Sequence, residues 1–200
     1  MRPLRLPKPR KSITPIYGAC EFVVDFELDH LRDRLDRFFD PRITDNEIKD
    51  LYQLKDKAGW SLSMERATAF SEGIDSNLFV RYFYRPFDLR WIYYSKRVIK
   101  RPVHEVMNHL LEDNRALVTC RQQVQAGFRH IFVTDHIGDG NAISLKSREW
   151  NYYFPLSLYT TPKDTAGTLF ATQEPTREPN LSPQFIAVVK DKLDLAFTDD

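Results

Sequence analysis

Residues 78–101 read LFVRYFYRPFDLRWIYYSKRVIKR. Aromatic and β-branched side chains of this density favour extended chain, and RPFD at Arg85–Asp88 carries the proline and acid of a tight turn. Two strands joined at that turn are therefore expected. The same window interleaves Arg81, Arg85, Arg90, Lys96, Arg97, Lys100 and Arg101 with Tyr82, Phe83, Tyr84, Phe87, Trp91, Tyr93 and Tyr94, and Asp88 is its only acid. Because side chains alternate across a strand, one aromatic set would enter the core while the basic set faces outward. Arginine and lysine neutralise phosphates, and exposed tyrosine rings offer stacking or hydrogen bonds, so the window has the footprint of a nucleic-acid surface. A solvated strand face above an ordinary aromatic core would have the same composition.

Downstream, Pro102 suits the first turn of a helix, and Val103, Val106, Met107, Leu110 and Leu111 form an apolar stripe ending near Asp113 and Asn114. Ala116–Cys120 and His130–Thr134 read as strands, and Asp139-Gly140 predicts a tight turn into a further strand, Ala142–Leu145. Arg121, Gln122 and Gln123 follow the strand ending at Cys120, and Arg and Gln match the hydrogen-bonding edges of guanine and adenine. An ordinary polar turn has the same letters. Residues 160–183 read as a long loop, and SPQFIAVVKDKL begins a last helix with Ser182 as N-cap and Pro183 at its first position.

Upstream, Leu28, Leu31, Leu35, Phe38 and Phe39 recur at helical spacing after FVVDF, a short strand, and Pro41 stops the helix. Thr44 with Glu47 resembles a capping box for a second helix through Leu51 and Leu54, and Gly73 would close a third that starts near Ser61. The expected fold class is α+β: a small N-terminal helical connector, 22–76, then a mixed, strand-rich domain with interspersed helices, 77–200. Residues 1–21, with five cations among prolines, read as a basic arm or linker.

The whole-chain balance excludes several classes. At 200 residues and 42% hydrophobic the chain supports one sizeable core or two small ones. Its longest apolar runs fall far short of the roughly 20 residues of a membrane span, and the basic start has no apolar stretch behind it, so neither membrane nor secretion is expected and the location is cytoplasmic. Cys20 and Cys120 have no CxxC partner and read as thiols in small core positions. The net charge of +1 leaves a nucleic-acid surface dependent on where the cations sit.

Catalytic signals are weak. His130, Asp135, His136 and Asp139 fall within ten positions and offer ligands for a divalent ion, making a metal-dependent nuclease centred on the His130/His136 hairpin one alternative. Strand geometry nevertheless puts Asp135 opposite the two histidines. No GxSxG elbow supports a triad from Ser144, His130 and Asp135, and seven glycines leave little for a phosphate cradle.

From Tyr84 the blocks YRPFDLRWIYYSKR, RPVHEVMNHLL, NRALVTCRQQ, FRHIFVTDHIGDGNAISL and WNYYFPLSLY follow in an order that resembles the C-terminal specificity domain of type ISP restriction-modification enzymes and related endonuclease-methyltransferases. FVVDFELDHLRDRLDRFFDPRITDNEI resembles the helical connector of that family, and NLSPQFI the start of its closing helix. The resemblance implies a double-stranded DNA recognition module that directs an adenine-N6 methyltransferase in cis or in trans, with no catalytic motif, cofactor or metal of its own. S-adenosylmethionine and Mg2+ would serve separate catalytic domains. The DNA-binding residues expected are Arg81, Arg90, Tyr93, Tyr94, Lys96, Arg97, Lys100, Arg101, Arg121, Gln122 and Gln123. The chain would then be a fragment, a split subunit or a decayed gene product, incomplete at its C-terminus, and a vestigial piece that docks on a methyltransferase is the remaining alternative.

Overall fold

A computed structural model describes residues 20–56, 60–99, 102–121, 127, 130–144, 149–160 and 176–194. The described residues begin with a single helical turn, α1 (Cys20–Val23), and a two-residue strand, β1 (Val24–Asp25), where the sequence suggests a longer strand. Helix α2 (Leu28–Phe39) buries Leu31, Leu35 and Phe38, the spacing that marks one face of a helix. Its start is fixed by Asp25, which accepts from the backbone N–H of Glu27 at 3.0 Å and pairs with Arg34. Helix α3 (Asp45–Tyr52) carries both halves of the Thr44/Glu47 capping box, and α4 (Leu62–Glu72) ends at Gly73, whose φ of 73° is natural to glycine.

Strands β2 (Phe79–Arg85) and β3 (Asp88–Tyr93) form the expected antiparallel pair about Pro86-Phe87. They are the centre of a four-stranded sheet ordered β1-β3-β2-β6, in which β6 (Ile137–Gly138) lies parallel to β2. Helix α2 packs on this sheet, with Phe39 edge-on to Tyr93 at 6.0 Å. The residues of the expected connector thus share a sheet and one hydrophobic core with the strand-rich part.

Buried Arg66 holds the α2–α3 corner. Its guanidinium donates to the carbonyls of Phe38, Asp40 and Ile43 at 2.8 to 3.0 Å and pairs with Asp45. The Phe38 and Ile43 carbonyls lie where a helix end and a tight connection leave acceptors unfilled, and the Asp40 carbonyl also accepts from the N–H of Ile43 at 3.3 Å.

The second sheet, ordered β5-β4-β7, is antiparallel and built from β4 (Ala116–Thr119), β5 (Ile131–Thr134) and β7 (Tyr152–Pro155). The stripe after Pro102 forms only α5 (His104–Met107) and a 3-10 turn through Leu110, and the left-handed backbone of Val103 keeps Pro102 and Val103 out of the helix. β8 (Ser157–Thr160) and β9 (Thr176–Pro179) make a small hairpin, and α6 (Pro183–Leu193) follows with Pro183 in its first turn.

One expectation fails outright. The Asp139-Gly140 turn does not return the chain antiparallel to β5, because β6 is drawn to β2 in the other sheet. Residues 139–144 fold instead around side-chain bonds: Asp139 accepts from the N–H of Asn141 at 2.7 Å, and buried Asn151 accepts from the N–H of Ile143 at 2.9 Å. Tyr153 lies so close over Gly138 that a β-carbon there would sit 2.2 Å from its hydroxyl, and that hydroxyl donates to the Asp139 carbonyl at 2.7 Å. Glycine at 138 is what lets the two sheets meet.

Candidate DNA interface

The β2–β3 hairpin was the first candidate, and its cations have found partners within the chain. Arg90 lies opposite Tyr82 in the register and grips Asp88 with two bonds of 2.9 Å. Its guanidinium is 3.8 Å from the centre of the Tyr84 ring and 4.2 Å from that of Phe26. Arg85 donates to the Tyr84 carbonyl, stacks 4.0 Å from the same ring, and pairs at 3.0 Å with Asp139. The register breaks between Phe83 and Arg85, so Tyr84 occupies a β-bulge against which both guanidinium groups stack. Asp139 is buried and also accepts from the Tyr82 hydroxyl at 3.1 Å.

At the apex, Phe87 is 101% exposed, the most exposed large apolar side chain among the described residues. Its φ is 64°, and proline followed by a positive φ is the pattern of a type II turn, whose second central position glycine usually fills. A residue with a β-carbon in the left-handed region is disfavoured by roughly 1–2 kcal/mol. Phe87 recovers none of this through burial.

The remaining predicted residues fall into distinct environments. Tyr93 and Tyr94 are buried, which corrects their reading as stacking surface: consecutive residues at a strand end both turn into the core here. Tyr93 accepts from the N–H of Asp75 at 3.2 Å, Tyr94 donates to the carbonyl of Pro102, and burial pushes the phenol pKa of each upward. Arg97 is clamped between Glu72, at 2.8 Å from its Nε, and Glu65, at 3.5 Å, and the Arg97 bond holds the Glu72 carboxyl below its ordinary pKa. Lys96 is exposed. Arg81 rests 5.0 Å over Trp91, its cross-strand neighbour. Lys100, Arg101, Gln122 and Gln123 lie outside the described residues.

Arg121 projects from the end of β4 with its side chain 74% exposed, 3.1 Å from Glu149 and 5.6 Å from the Tyr152 ring centre. Beside it the outer face of the second sheet carries Leu117, Val133 and Phe154 in one cross-strand row and Thr119, Ile131 and Tyr152 in the next. Val133 is 65% exposed and Leu117 40%. Sequence reading missed this face, although alternation in ALVT and YYFP marks it.

The metal alternative loses its geometry. Asp139 is committed to Arg85, Tyr82 and Asn141, and His136 sits in the bend after β5 with its Nε2 3.4 Å from Asp135. Among the described residues no group of three or more His, Cys, Asp or Glu side chains is placed to hold a metal ion. Burial raises the pKa of the Cys120 thiol, consistent with a core position. No helix among the described residues is long and apolar enough to cross a membrane.

Sheet order and helix packing together define a mixed α+β domain. The chain belongs to the Type ISP C-terminal specificity domain family, whose model matches residues 17–200. No curated protein matches it. Its fold is similar to parts of three solved structures. In a cryoEM structure of a DrdV-DNA complex the match has a TM-score of 0.59 at 17% identity and covers 90% of this chain and 17% of that one. In the ATP-dependent Type ISP restriction-modification enzyme LlaBIII bound to DNA, the TM-score is 0.57 at 12% identity, covering 89% and 12%. In a nuclease-deletion mutant of the Type ISP enzyme LlaGI in complex with a DNA substrate mimic, it is 0.54 at 14% identity, covering 88% and 17%. The chain thus spans less than a fifth of the length of these structures.

Proposed function

We propose that this chain is the sequence-reading module of a restriction-modification enzyme, binding duplex DNA and directing an adenine-N6 methyltransferase, present in cis or in trans, to a short target. The family match over residues 17–200 carries this reading, and DNA in all three related structures supports it. Methyl transfer from S-adenosylmethionine and Mg2+-dependent cleavage belong, on this reading, to other domains.

Contact roles are assigned by exposure. Lys96 and Arg121, together with Lys100 and Arg101 from the sequence pattern, are the phosphate candidates, and Arg81, partly buried over Trp91, is a further one. Gln122 and Gln123 remain the candidates for reading base edges. Arg90 and Arg97, held by carboxylates, shape the surface and do not supply its free charge.

Selection of bound duplexes from a random pool by the full chain, followed by band shifts across a salt series, tests the proposal. A preferred site should emerge, with affinity falling as salt rises. Failure to retain any duplex at low salt would refute it.

A further inference from the structure

The fold does not account for Phe87. Its ring is wholly exposed, its backbone is left-handed, and it stands at the outermost point of a hairpin that is otherwise heavily braced. The bracing is specific to the tip. Arg85 is tied to buried Asp139, Arg90 to Asp88, and both stack on the bulged Tyr84 two and three residues either side of Phe87. An unfavourable backbone that persists because its surroundings determine it is characteristic of a functional position.

We propose that Phe87 is a wedge that enters the base stack of duplex DNA, between adjacent base pairs. The inference rests on the DNA-recognition reading above and adds its means of deforming the target. A single rigid aromatic ring on a narrow tip matches the shape of a partly opened base step, and Phe, Leu, Ile, Met and Pro are the side chains that unstack such steps. The tip's charges suit this role better than phosphate capture: Arg85 and Arg90 are each matched by a carboxylate within 3.0 Å, so the apex is close to neutral and its exposed chemistry is the ring. Such a wedge would bend the duplex and favour easily unstacked steps, contributing sequence preference without reading a base edge.

The test uses the full chain and a duplex obtained by selection, labelled at both ends for energy transfer. Wild-type protein should bend the duplex. Phe87→Ala should weaken binding roughly tenfold, as expected for loss of one stacking contact, abolish the bend, and leave the salt slope unchanged because no phosphate contact is removed. Phe87→Leu should retain most of both properties. Phe87→Gly serves as the folding control and should melt at or above the wild-type temperature, since glycine relieves the left-handed backbone and no burial is lost. Wild-type affinity and bending in Phe87→Ala would overturn the wedge while leaving DNA recognition standing. A changed salt slope, or a lower melting temperature in Phe87→Gly, would equally overturn it by showing that the ring acts through the cations or the fold. If the wild-type chain retains no duplex, DNA recognition itself fails and the wedge with it.

Discussion

Arg90 and Arg121 have nearly the same companions, a carboxylate and aromatic ring faces, yet they belong to different parts of the molecule's chemistry. Arg90 holds Asp88 and stacks on Tyr84 and Phe26 with its side chain 24% exposed; Arg121 meets Glu149 and Tyr152 with 74% exposed. In the first setting limited access to water makes the pair a rigid part of the hairpin. In the second, the guanidinium stands in water although its partner Glu149 is itself only 9% exposed, and a phosphate can compete for it. Exposure, more than residue type, separates a cation that builds a surface from one that can use it.

Arg66 is the extreme of the buried kind, at 1% exposure, and should give the largest effect. Arg66→Ala takes the guanidinium donor from the Phe38 and Ile43 carbonyls and the cation from Asp45, so the expected loss is about 3–5 kcal/mol, read as a lower urea midpoint. A loss below about 1 kcal/mol would mean that water replaces the guanidinium and that burial does not sort the arginines as argued.

The comparison itself is sharpened by two alanine variants. Arg90→Ala should lower stability by about 1–2 kcal/mol through lost bonding and ring contact and leave the salt slope of DNA binding unchanged. Arg121→Ala should reduce the salt slope of DNA binding by roughly one. Reversal of the two patterns would break the distinction.

The smallest effect is in acid. Hydrogen bonds from Arg42 lower the Asp40 carboxyl from an ordinary 3.8 to about 2. A depressed folded-state pKa gives stability that is fully present above about pH 4 and is lost as the pH falls toward 2. Arg42→Ala should therefore lower the urea midpoint slightly at pH 7 and pH 5 and leave it nearly unchanged at pH 2.5, which narrows the difference between neutral and acid. An unchanged acid profile would remove Asp40 from the account.

Local patterns carried much of the fold into the sequence. The capping box at Thr44, the glycine stop at Gly73, the proline start at Pro183 and the turn at Pro86-Phe87 all concern neighbours a few residues apart. What was illegible depended on distant pairing. A DG dipeptide signals a hairpin turn, but nothing near Asp139 reveals that Arg85 and Tyr82 will claim its carboxylate. The basic window looked uniformly available because Glu65 and Glu72, which bind Arg97, lie outside it in α4. Buried Tyr93 and Tyr94 likewise reflect the packing of α2 and the chain end after β3, which strand alternation alone cannot specify.

The parallel pairing of β6 with β2 also joins distant parts of the chain. The β2–β3 hairpin closes between neighbours in sequence, whereas pairing Phe83 with Gly138 carries the entropy penalty of a long loop. Asp139 reaches Arg85 through that pairing. Rigidity at the hairpin tip is therefore a certificate that a distant strand is in place, and a chain without that pairing would carry the same residues without the geometry that gives them meaning.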